Sequence, residues 1–193
     1  TVRARVRFPL PSPGAGGWQA GRMSDGDVLD LALTILRGWV GVVMLAHGVN
    51  HIFGGGRIAG TARWFGSMGM KAPLVQAWLA SLTEIGAGVL LIVGLLTPFG
   101  AAGVVGVMTV AWAINHRGNG FFIFRPGEGW EYVATLTACG VALGALGAGR
   151  WSLDEALGVR DDLLGWPGLL IAVLAGGGGA AALLAAFWRP RPD

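Results

Sequence analysis

Five long apolar runs, separated by short segments rich in glycine, proline or charge, set the pattern of this chain: residues 28–53, 74–96, 99–115, 131–148 and 167–188. A helix that crosses a bilayer needs about 17 to 25 predominantly apolar residues at 1.5 Å each. All five runs reach that range, the third and fourth at its short end. Ser24 followed by Asp25 and Asp27 supplies a cap and first-turn acids for the first helix. Thr97-Pro98 marks a tight turn between the second and third runs, and Pro167 suits the first helical position of the fifth. Gly100, Gly103 and Gly106, and likewise Gly140 and Gly144, form small-residue stripes suited to close packing. The glycine run 176–179 weakens the fifth helix in isolation and predicts a tightly packed neighbour there.

The connections carry their own pattern. Residues 54–73 hold Arg57, Arg63, Trp64, Phe65 and Lys71 and read as a short amphipathic helix lying at the interface. Residues 115–130 hold Phe121, Phe122, Phe124, Arg125 and Trp130, an aromatic belt at the membrane surface. Residues 1–27 form an arm rich in Arg, Pro and Gly, interrupted by Pro9, Pro11 and Pro13, which rules out a secretory h-region and predicts an extended segment without a core. Order in such an arm would require a partner subunit; alternatively Met23 is the true start and residues 1–22 an extension.

Composition agrees with a lipid setting. Of 193 residues, 53% are hydrophobic and 13% charged, with a mean hydropathy of +0.60, whereas soluble domains carry roughly 25% charged residues. The net charge of +3 comes from residues scattered over loops and termini, which suits anionic head groups and not nucleic acid. The single cysteine, Cys139, excludes an internal disulfide, a CxxC pair and a cysteine-built metal site. The pattern predicts an all-α membrane protein.

Ionisable groups inside a span are costly and usually face a protein interior or a water-filled cavity. The first run carries Arg37, His47, Asn50 and His51, and the second carries Glu84. If the first helix runs from face A to face B, His47, His51 and His116 all lie near face B, with Asn115, Glu128 and Glu131 beside them. At 1.5 Å per residue, His47 lies about 9 Å from that face, Glu84 about 15 Å and Arg37 about 24 Å. Side chains lean toward their helix N-terminus, so His47 and Glu84 converge across antiparallel helices, while Arg37 leans to face A toward Asp30 or Asp154. Arg37, Gly41, Met44, Gly48 and His51 share one stripe. Lys and Arg divide evenly between the faces when the arm is counted; without it, face B is the cytoplasmic one.

Arg37-Gly38 leading to His47-Gly48, Glu84 with Gly86 and Gly88, and Gly94-Leu-Leu-Thr97 form one ordered set. His116 with Gly120-Phe121-Phe122, Glu131-Tyr132 and Gly149-Arg150-Trp151-Ser152-Leu153-Asp154 complete it. The set resembles the DoxX family of small membrane proteins over about residues 28–158. The resemblance implies a DoxX-like four-helix transmembrane bundle over 28–158, to which this chain adds the arm at 1–27 and, over 159–193, a fifth C-terminal transmembrane helix with a basic tail. It also implies a bacterial cytoplasmic membrane and an association with membrane oxidoreductase assemblies, relatives being subunits of a thiosulfate:quinone oxidoreductase. It assigns no catalytic residue.

Two functional readings follow. One is an accessory or scaffolding subunit of a larger membrane redox complex, whose partner subunits contact the arm and the fifth helix. The other is a quinone-interacting oxidoreductase subunit in which His47, His51, Glu84, His116 and Glu131 form a cofactor-binding cluster on face B, imidazole being the natural proton exchanger near neutral pH. A hydrogen-bonded polar knot that merely fixes helix packing would use the same residues. A metal site lacks a diagnostic motif, since Gly-Val-Asn and no glutamate separates His47 from His51. Haem ligation by two of the histidines is chemically conceivable. No second matching half points to a transporter.

Overall fold

The computed structural model describes residues 23–190. The arm through residue 22, its expected partner, and residues 191–193 of the tail lie outside the described residues. The fold is helical: α1 (Asp25–Phe53), α2 (Arg57–Ser67), α3 (Pro73–Val93), α4 (Thr97–His116), α5 (Glu131–Leu146), a short α6 (Leu153–Ala156) and α7 (Trp166–Phe187). Helices α1, α3, α4 and α7 are long and apolar enough to cross a membrane. The fourth expected span is shorter than its apolar run. With 16 residues, α5 reaches about 24 Å against a hydrocarbon core of roughly 30 Å. Gly147, at φ 70° and ψ −163°, turns the chain out of the helix before Ala148.

Capping follows the sequence. Ser24 Oγ accepts from the Asp27 amide at 3.2 Å while Asp27 accepts from the Ser24 amide at 3.3 Å, a capping box at the start of α1. Leu96, at φ 45°, turns the chain from α3 into α4. The Asp154 carboxylate caps that turn, accepting from the Leu96 and Thr97 amides at 2.6 and 3.1 Å. Pro167 falls within the first turn of α7, which opens one residue earlier, at Trp166.

Helix α1 packs antiparallel on α3, and α4 is the central helix, bordered by α3, α5 and α7. The α1–α3 crossing depends on missing side chains. A Cβ on Gly88 would lie 2.7 Å from the Gly41 carbonyl oxygen, and one on Gly48 would lie 2.7 Å from that of Ser81. These two contacts set the register of the pair. Helix α7 buries Gly168, Ala172, Gly176 and Ala180, four residues apart on one face. The tightly packed neighbour expected at the run 176–179 is α4, and the first glycine alone makes that contact: a Cβ on Gly176 would lie 2.5 Å from the Ala102 carbonyl oxygen. On Gly177, Gly178 or Gly179 it would meet nothing within 4 Å, because only one position per turn faces α4.

The interfacial helix is present as α2, with Phe65 buried and Trp64 exposed. Its end is tied to the end of α7 at face B. Met70 and Trp188 form an isolated bridge, Lys71 N donates to the Phe187 carbonyl at 2.7 Å, and the Trp188 indole donates to the Met68 carbonyl at 2.9 Å. The Arg117 guanidinium lies 5.0 Å from the centre of the Trp188 ring.

Candidate functional site

A cavity of about 490 Å³ opens among α1, α2, α3, α4, α5 and α7 toward face B. Most of its wall is apolar, supplied by side chains such as Leu79, Val107 and Leu183 and by the bare backbone of Gly103 and Gly106. Two of its walls contain wide i→i+5 turns, at Trp112–His116 in α4 and Ile171–Gly178 in α7. Such turns are rare and recur at functional sites. The first of them places Ile114, Asn115 and His116 on the cavity wall.

Four of the five expected residues, His47, His51, Glu84 and His116, line this cavity. Glu131 does not: at the start of α5 it accepts from the Ile123 amide at 3.2 Å and so braces the aromatic loop. Nor does Asn50, which is exposed on the neighbouring face of α1.

The partner of Glu84 is His51, not His47. His51 Nδ1 lies 3.0 Å from Glu84 Oε2. The depth argument favoured His47 over Arg37 and left out the angle around the helix. The stripe that faces α3 runs Gly41, Met44, Gly48, His51, and His47 stands about 100° away from Gly48. His47 therefore turns to α5, where its Nε2 and the Tyr132 hydroxyl share a hydrogen bond at 3.1 Å. His116 Nδ1 donates to the Glu128 carbonyl at 2.9 Å, which leaves Nε2 to accept from Asn115 Nδ2 at 3.4 Å if the ring is neutral.

The His51–Glu84 contact is within ion-pair reach but misaligned for a hydrogen bond. Neither His51 Nδ1 nor Glu84 Oε2 has a hydrogen-bond partner among the described residues. Glu84 is 3% exposed. A carboxylate so buried is costly unless something donates to it, and the space beside it belongs to the cavity. Tyr132 and Gln76 also line the site, and the sequence reading did not select either as a site residue. Tyr132 is the chain's single tyrosine, which could have drawn notice. Gln76 is an isolated polar residue in an apolar helix, a signal of the same kind as Glu84.

Arg37 is separate from this cluster, as its lean toward face A predicts, but it has neither Asp30 nor Asp154 as a hydrogen-bond partner. Its guanidinium donates to the carbonyls of Leu91 at 2.9 Å, Ile92 at 2.6 Å, Ala148 at 3.2 Å and Trp151. Two of these end α3, where carbonyls carry the negative end of the helix dipole. Asp30 instead pairs with Arg150, as does Asp27 at 2.8 Å. Hydrogen bonding to Asp30, then to Asp27, holds the Arg150 guanidinium above its usual pKa.

Among the described residues no group of three His, Cys, Asp or Glu side chains is arranged to hold a metal ion. No curated protein and no solved structure matches the chain. The DoxX family model matches residues 32–117, from the first turns of α1 to the end of α4. The cavity thus lies where the matched segment meets α5 and α7, which fall beyond it. The chain is a multi-pass helical membrane protein whose residues 32–117 are similar to the DoxX family.

Proposed function

We propose that this protein is a membrane subunit that binds a quinone-like head group in the face-B cavity. The observation that carries the reading is Glu84: a buried carboxylate with no hydrogen-bond donor among the described residues, set beside a histidine in an apolar-walled cavity. Sites for small molecules are concave, mostly apolar, about 300–1,000 Å³, and carry a few placed polar groups. A quinol hydroxyl would donate to Glu84, and a quinone carbonyl would accept from the protonated imidazole of His51 or from Tyr132. Imidazoles at His47, His51 and His116 would exchange protons with the water of face B. Redox association of DoxX-like proteins favours a quinone over other amphipathic rings.

A second reading, membership of a larger membrane redox assembly, is favoured by α7. The most apolar stretch of this helix is only 17% buried, the least of the four spanning-length helices. A neighbouring subunit would cover what is left. The resemblance favours a bacterial cytoplasmic membrane, and with the arm left out face B would lie inward, since Arg57, Arg63, Lys71, Arg117, Arg125 and Arg189 lie at that face and Arg150 and Arg160 at the other.

Titrating the protein in nanodiscs with a decyl-tailed benzoquinone tests the first reading. Saturable binding is expected for the wild type, weakened at least about tenfold in Glu84→Gln and in His51→Gln, because each loses a charge-assisted contact. Absence of saturable binding, or wild-type affinity retained in both variants, would overturn it. Native mass determination after mild extraction tests the second, which a protein always recovered alone would exclude.

A further inference from the structure

The polar corner of the cavity accounts for only part of its volume. An apolar cavity of roughly 150 Å³ is enough for a benzene ring, whereas this one measures about 490 Å³. The remainder extends away from Glu84 between α3 and α7. Leu79 and Thr83 form one side, Gly103 and Val107 of α4 the floor, and Ala175 and Gly179 the other side. Leu79, Ala175 and Gly179 are exposed, so this part of the cavity borders the surface that faces lipid. Helices α3 and α7 flank α4 and make no extended contact with each other. Their link is the clasp at face B, where the loop before α3 holds Trp188.

The glycine run in α7 fits this arrangement. Gly176 is required by its contact with α4, but Gly179 is not: a Cβ there would meet nothing within 4 Å. Glycine weakens a helix, and at Gly179 the missing side chain has no packing benefit to offset that. What it does is keep the side of the groove low.

We propose that the ligand of this site has a long apolar tail, which lies in the groove between α3 and α7 and enters sideways from the bilayer, with its head group at Glu84 and His51. This rests on the quinone-like reading and deepens it. It also makes α7, which falls outside the DoxX match, the wall that selects for the tail. Glu84, which has no hydrogen-bond donor among the described residues, fixes where the head group ends, and the continuity of the cavity fixes where the tail begins. Entry from the bilayer follows from the exposed rim at Leu79, Ala175 and Gly179.

The test compares two benzoquinones with the same head group, one carrying a decyl tail and one a methyl, in nanodiscs, with affinities corrected for partition into lipid. Wild-type protein is expected to prefer the decyl compound by at least about tenfold, since a tail seated in the groove makes packing contacts with α3, α4 and α7 that the methyl compound cannot make. Gly179→Leu should remove most of that preference while changing methyl-compound affinity less than about twofold. Gly178→Leu, one position away, equally unobstructed and not on the cavity wall, should leave both affinities as they are. Ala175→Leu, on the same rim, should repeat the Gly179→Leu result and serves if that variant does not fold. Equal wild-type affinity for the two compounds, or equal effects of Gly178→Leu and Gly179→Leu, would overturn the tail groove. In either case methyl-compound binding that depends on Glu84 would leave the head-group site standing. If neither compound bound the wild type, both proposals would fall.

Discussion

The two ends of this bundle treat buried charge in opposite ways. At face A, the Arg37 guanidinium, 2% exposed, has four carbonyl acceptors. Asp154, 1% exposed, accepts from two amides at the start of α4, and Asp30 is met by Arg150. Each buried charge is spent on backbone groups that helix ends and turns would otherwise leave unpaired. At face B, Glu84 is as deeply buried but has no hydrogen bond, and His51 reaches it only off-axis. The face-A groups are explained by the fold. Glu84 and His51 are not, and they sit where the bundle leaves space. Burial of charge is therefore no sign of function by itself; what separates the two regions is whether the protein satisfies the charge.

The largest effect should come from the contact that both regions share. Gly88→Val puts a side chain against the Gly41 carbonyl oxygen, which a Cβ would already approach to 2.7 Å. The obstacle is backbone, so relief requires α1 and α3 to separate. A loss of about 3 kcal/mol or more is expected, seen as aggregation or a sharply lowered Tm in detergent. Face A and face B should fail together; a variant that kept ligand binding with normal stability would show that this crossing does not couple them.

Arg37→Met should come next, at about 3 kcal/mol, because it removes four charge-assisted hydrogen bonds and leaves buried carbonyls unpaired. Thermal unfolding in detergent measures it. The part that remains folded should bind quinone like the wild type. Lost binding with an unchanged Tm would move Arg37 from the structural region into the functional one.

Asp154→Asn tests the same region more gently. The amide keeps one acceptor for Leu96 N or Thr97 N and loses the other, so about 1 kcal/mol is expected, in line with other cap losses. A cost equal to that of Arg37→Met would mean that Asp154 also holds the guanidinium electrostatically.

The helices, their caps and the glycine contacts were legible because each depends on residues near in sequence: Ser24 with Asp27, Pro98 after a left-handed Leu96, Gly88 among apolar neighbours. Which face held the histidines was legible too, since it needs only the number of crossings and the rise per residue. What escaped was rotation. One residue on a helix turns the side chain by about 100°, so depth alone paired Glu84 with His47 when the stripe through Gly41 and Gly48 already pointed to His51. The partners of Arg37 were hidden for another reason: they are carbonyls, which every residue carries and no sequence pattern marks. The two wide turns that shape the cavity leave no local signature either, and α5 ended early because Gly147 turned an apolar run out of its helix. Glu131 was misplaced because the loop before it folds back and takes its carboxylate.

The smallest stability effect, and the most discriminating, belongs to Glu84→Gln. Removing a charge at face A breaks bonds that are made; removing this one breaks a contact that is already misaligned and leaves a neutral group of the same shape. The carboxylate loses its attraction to His51, and the site no longer has to bury an ion. These terms oppose each other, so Tm should correspond to a change within about 1 kcal/mol, of either sign. The double variant His51→Gln/Glu84→Gln should show little further loss, because the second substitution removes a partner that the first has already left alone. Quinone binding should nevertheless fall at least about tenfold in the single variant. A cost matching that of Arg37→Met would instead make Glu84 and His51 a packing device, and the two faces would then differ in geometry but not in purpose.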